Sequence, residues 1–150
     1  DFRRNQKELD KIRVTLDSIT SNPDYEITGI YLTGYASPEG SYAQNEVLSR
    51  DRTRALRNYL LRRYSFPENL YHVDWRGEDW IGLKRLILLY GMPNEEQVLS
   101  IMENYSVFEG REKRLMDLNN GKPYRYMMKH FFPELRRVDY KITYKIINNE

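Results

Sequence analysis

Residues 31–61 read YLTGYASPEGSYAQNEVLSRDRTRALRNYLL, and this stretch decides the fold. It reads as the end of a strand, a tight loop and one long helix. The loop covers residues 34–40. Pro38 and Gly40 within Ser-Pro-Glu-Gly suit a type I turn. Ser41 followed by Gln44 has the form of a capping box. No Gly or Pro then interrupts the chain before Pro67, so the spacing predicts a helix over about residues 42–63.

At about 100° per residue, Asn45, Leu48, Ser49, Arg52, Ala55, Leu56 and Tyr59 share one stripe of that helix. Arg50, Arg54, Arg57 and Asn58 fall on the opposite side. The first stripe is expected to face the protein. An arginine there needs partners, because an unpaired buried charge is strongly destabilising. Two readings of Arg52 stand side by side. It is a structural arginine paired inside the fold, or it binds an anion beside the loop at 37–40.

The same residues carry a resemblance. Gly34, Tyr35, Gly40, Asn45, Leu48, Ser49 and Arg52 match the form G-[YH]-T-D-x-x-G-x-x-x-x-N-x-x-L-S-x-x-R-A at the right spacing, and on them the chain resembles the OmpA C-terminal family. The family Asp falls on Ser37, and the Ala after the Arg falls on Thr53. Arg136-Arg137-Val138 is similar to the Arg-Arg-Val that opens the family's last strand. The Ser-Pro-Glu loop and a long helical insertion resemble OmpA-like proteins of Bacteroidales.

The resemblance implies an α+β fold of the α/β-sandwich type. Its mixed sheet carries helices on one face, with a helical insertion over about residues 80–132. It also implies a non-catalytic module without a cofactor, periplasmic and associated with the outer membrane. The implied ligand is the diaminopimelate of the peptidoglycan stem peptide. Arg52 would fork onto its carboxylate and Asn45 would orient the loop, with Arg137 in the same set. The ammonium partner falls on Ser37, which carries no charge, and Glu39 two residues on is the substitute acid. Arg52, Asn45 and Arg137 favour wall binding. Ser37 and the insertion favour an alternative, a degenerate copy used for protein–protein assembly at the envelope through the inserted helices.

The rest of the chain sets bounds. With 150 residues and 40% hydrophobic content, it is long enough for one domain with a real core. Net charge is +2, from 24 basic and 22 acidic residues, which argues against an extended nucleic-acid footprint. There is no cysteine, hence no disulfide, zinc thiolate or cysteine nucleophile. No apolar run is long enough to span a bilayer. His72 and His130 lack metal-ligand spacing, and no Walker or Rossmann phosphate loop is present. Ser37 and Ser49 have no base identified beside them, so no catalytic residue is assigned. Glu78 and Asp79 read as acids of a helix N-terminal turn.

Leu9, Ile12, Leu16 and Ile19 predict a first helix over about residues 4–20. The family's first strand has no room upstream of it. The chain is therefore expected to be a piece of a larger exported protein, with an open sheet edge. Strands are predicted at about 25–34 and 70–75, the second followed by a turn at 76–79. Helices follow from about 79 to 90, with Trp80, Leu83, Ile87 and Tyr90 as the inner stripe, then from about 95, 112 and 123, the last ending before Pro133. Asn94 and Gln97 suggest a second capping box. In the final strand, over about 136–147, Val138, Tyr140, Ile142, Tyr144 and Ile146 alternate with polar residues and are expected to form its buried face.

Overall fold

β1 (Tyr25–Ala36) lies in the middle of a three-stranded sheet, between β2 (Tyr71–Glu78) and β3 (Arg137–Ile146). The structure is a computed structural model that describes residues 2–147, with side chains described from residue 6 onward. Ile147 N donates to Asp24 O, Lys145 pairs with Glu26, and Thr28 donates to Thr143. Numbers falling on one strand as they rise on the other make β1 and β3 antiparallel. On the other side Tyr31 stacks on His72, and Asp79 N donates to Ala36 O further along. Here the numbers rise together, so β1 and β2 are parallel, and α2 (Tyr42–Arg63) is their crossover. The fold class is α+β.

The chain forms two compact units, Asp1–Gly34, Ser49–Arg76 and Arg137–Glu150 in one, Tyr35–Leu48 and Gly77–Arg136 in the other. In the first, Ile12 and Leu16 of α1 (Phe2–Thr20) share a core with Ile30, Leu32, Leu60, Tyr71 and Val138. α2 comes very close to β1. A Cβ added to Gly34 would stand 1.8 Å from Thr53 Oγ1 and 2.5 Å from Ser49 O. Thr53 Oγ1 in turn donates to Ser49 O at 2.6 Å, so its hydroxyl is satisfied within the helix. The buried line of α2 is accordingly Asn45, Ser49, Thr53 and Leu60. Leu48 and Ala55, expected inside, are exposed. A contact made through a glycine and small hydroxyl residues leaves little room for a leucine stripe.

The second unit holds α3 (Trp80–Tyr90), α4 (Glu95–Asn104), α5 (Arg111–Asp117), α6 (Lys122–His130) and α7 (Phe132–Leu135). Leu83, Ile87, Val98, Leu115, Met127, Phe132 and Leu135 make its core. Asp79 caps α3, accepting from Gly82 N at 2.9 Å, and Gly91 ends it with a φ of 73°.

Several expectations are corrected. β2 runs on to Glu78, through Gly77 at φ 67°, where a turn was expected at 76–79. Tyr90, although on the inner stripe, is exposed as the last residue of α3, before Gly91 turns the chain. Asn94 adopts a left-handed conformation and caps no backbone N–H; its amide reaches the Gln97 side chain instead. α6 ends at His130, before Pro133 as expected, but the chain then forms a further short helix, α7, with Pro133 in its first turn, where the missing N–H costs nothing. On β3 only Val138 is buried and Ile142 half-buried, while Tyr140, Tyr144 and Ile146 are exposed. An edge strand has fewer neighbours to cover its side chains.

The close approach at residue 34 can be tested. Gly34→Ala is expected to destabilise the fold by about 1–3 kcal/mol through overpacking, read as a lower urea midpoint. A midpoint equal to wild type would show that α2 does not press on β1 there.

Candidate functional site

The Asn45 amide joins the loop leaving β1 to the end of β2. Asn45 Nδ2 donates to Glu39 O at 2.8 Å and to Glu78 Oε2 at 2.7 Å. Ser41 supports the start of α2, with Gln44 N donating to its Oγ at 3.3 Å. Beside the loop lies a cavity of about 140 Å³ lined by Pro38, Gly40, Tyr42, Glu78, Trp80, Val107, Gly110, Glu112 and Lys113. That is the scale of a few water molecules, each about 30 Å³.

Two carboxylates converge there, and neutral groups hold both. Glu78 accepts from Asn45 and, through Oε1, from Trp80 Nε1 at 3.0 Å. Glu112 Oε2 accepts from Gly40 N at 2.9 Å and lies 3.4 Å from Tyr124 Oη. Burial raises the pKa of each. At Glu78 the Asn45 and Trp80 hydrogen bonds and the Arg111 charge oppose that rise. At Glu112 the Gly40 N–H and Tyr124 oppose it, while the negative charges of Glu78 and Glu39 add to it. Arg111 is itself fastened elsewhere. Its Nε donates to Tyr105 O and its Nη2 to Met102 O, and its guanidinium lies 4.7 Å from the Trp80 ring centre. Lys113 at the cavity pairs with Asp117 at 3.0 Å. The chemistry on offer is a small recess with two desolvated acids, an indole and a phenol ring, which suits an organic cation. Among the described residues no three acidic or histidine side chains form a metal-type cluster. Two broader hollows, of about 470 Å³ along α4 and about 490 Å³ beside Phe66 and Leu70, have one carboxylate each in their walls.

The residues singled out in the sequence are placed as follows. Ser37 is 5% exposed, so an Asp at that position would carry a desolvation cost. Glu39 is engaged by Arg136, whose Nη2 donates to its Oε1 at 2.9 Å, and it is not a spare acid. Asn45 meets the loop backbone. Arg52 is half-buried on the Ser49–Arg76 segment of the first unit. Arg137, at the start of β3, donates through Nε to Asp139 at 3.0 Å. The loop and Asn45 thus come together in the second unit with Glu78 and Glu112, while Arg52 and Arg137 belong to the first. Glu78 does not serve a helix N-terminal turn as expected; Asp79 alone does. His72 and His130 lie against tyrosines, Tyr31 and Tyr126, with ring centres 4.5 and 4.4 Å apart.

Glu112 was not found by sequence reasoning, because it stands in an unremarkable charged run that only the folding of α5 brings to Gly40; Arg136 was noted as part of the Arg-Arg-Val stretch, but its pairing with Glu39 was not. Glu78 had one signal, an acid next to the residue that caps α3.

No family model matches the chain. A stretch of 49 residues, 33% of the chain, is 39% identical to Outer membrane protein 41 of Porphyromonas gingivalis and spans 12% of that protein. The chain thus matches a small part of the length of this relative.

The two raised carboxyls predict a pH effect. Between the unfolded-state pKa and the raised folded one, the folded chain binds more protons than the unfolded chain. Stability from Glu78 and Glu112 therefore falls as pH rises across that window and levels off above it. Glu112→Gln removes one such group, so urea unfolding followed from about pH 4 to about pH 8 should give a flatter profile than wild type. Superimposable profiles would show that Glu112 bears no such burden.

Proposed function

We propose that the chain is a non-catalytic cell-envelope module that binds the diaminopimelate stem peptide of peptidoglycan and so ties an outer-membrane protein to the wall. The observation that carries this reading is the recess beside the Asn45-held loop, with Glu78 and Glu112 turned to it. A primary ammonium is a fitting occupant. It donates three hydrogen bonds and carries the charge that two desolvated carboxylates lack. The acid missing at Ser37 would thus be supplied by the end of β2 and by an inserted helix. The similarity to part of an outer membrane protein supports association with the outer membrane, and placement in the periplasm follows from the proposed ligand.

A second reading has its own support. Ser37 is nearly closed off and Glu39 is committed to Arg136, as befits a copy of the fold that has exchanged wall binding for protein–protein assembly at the envelope.

Calorimetry with a diaminopimelate tripeptide separates the two. Loss of one charge-assisted hydrogen bond is worth about 1.5–3 kcal/mol, so Glu112→Gln and Glu78→Gln should each weaken binding by roughly ten- to a hundredfold. Acetylating the side-chain amine of the ligand should have a similar effect. Affinity should also rise with pH through the acid range, because the ligand needs the ionised carboxylates. A wild-type chain that gives no heat with the tripeptide leaves the assembly reading ahead. Binding unchanged in both glutamine variants removes the recess from the site.

A further inference from the structure

α3 presents an apolar side to solvent. Ile81 is 76% exposed, Leu88 62% and Leu89 68%. A helix of eleven residues that leaves three large apolar side chains open along one side is unusual for a solvated surface. The opposite side accounts for the helix's own packing, because Leu83 and Ile87 are fully buried in the second unit's core. Lys84 and Arg85 are exposed and lie within the outer stripe, flanking the line from Ile81 to Leu88. The helix sequence, WIGLKRLILLY, contains no acid.

We propose that this side of α3 docks on an anionic phospholipid surface. The proposal goes beyond the wall-binding reading and stands without it. Charge decides the occupant. Two cations with no acid among them complement phosphate headgroups, and their long stems let the charges reach the headgroups while the aliphatic chains enter the boundary below. A second copy of the chain meeting this side across a two-fold axis would bring like charges together. Since no helix among the described residues is long and apolar enough to cross a membrane, the attachment lies in the plane of the surface.

Vesicle co-sedimentation of the whole chain tests this, with phosphatidylethanolamine vesicles containing phosphatidylglycerol against pure phosphatidylcholine vesicles. Wild type should pellet with the anionic vesicles and be released by salt. The double variants Ile81→Ser/Leu88→Ser and Lys84→Glu/Arg85→Glu should each lower the bound fraction at limiting lipid by about tenfold. All four positions are exposed, and circular dichroism melts confirm that the variants are folded. Absence of wild-type binding, equal binding to both vesicle types, or binding that survives the charge reversal would overturn the proposal. A wild-type dimer in sedimentation equilibrium that Ile81→Ser/Leu88→Ser dissociates, without vesicle binding, would show the side to be a protein interface and overturn it as well.

Discussion

No side chain fits at residue 34. α2 presses against β1 so closely there that even a methyl group would meet Thr53 Oγ1 and Ser49 O. Much of the first unit follows from that closeness. The helix must offer small groups at the contact, so Ser49 and Thr53 lie at its centre and Leu48 does not. The Thr53 hydroxyl would be costly in such a place if it were unpaired, and its bond to Ser49 O removes that cost. Because β1 ends and α2 begins within a few residues of this contact, the connecting loop has little freedom left.

Asn45 uses what freedom remains. Its amide is buried and bonds at once to the loop backbone and to Glu78. An amide is well suited to this position, since it satisfies a carbonyl and a carboxylate without adding a charge. Glu112 fastens the other end of the loop at Gly40 N, and Arg136 secures Glu39. The loop is thus held within one unit by one local contact, through Asn45, and two long-range ones, through Glu112 and Arg136. The two acids meet the recess already oriented, held by the neutral donors Asn45, Trp80, Gly40 and Tyr124. Desolvated carboxylates held by neutral donors keep a strong preference for a cation, and that property links the fold to the proposed ligand.

The sequence was most informative where local rules act alone. α2 occupies residues 42–63 as its capping residues and unbroken run predict, and it joins β1 and β2 as a parallel crossover. Legibility fell where neighbours decide. β3 has a true alternating pattern, yet as an edge strand it leaves Tyr140, Tyr144 and Ile146 uncovered. Periodicity could rank Leu48 above Thr53 on α2 because it knows nothing of the glycine opposite. Within the site, Asn45 was legible from the motif, whereas Glu112 was not, since 72 residues separate it from Gly40 and no local pattern ties them together. Glu39 stood nearest in sequence to the missing acid, but a turn aims its carboxylate at Arg136.

Binding to intact cell wall tests the central claim most directly. Purified chain mixed with isolated diaminopimelate-type sacculi and centrifuged should appear in the pellet, and soluble stem tripeptide should return it to the supernatant. A chain that stays in the supernatant, or that pellets equally with and without the tripeptide, would contradict the account.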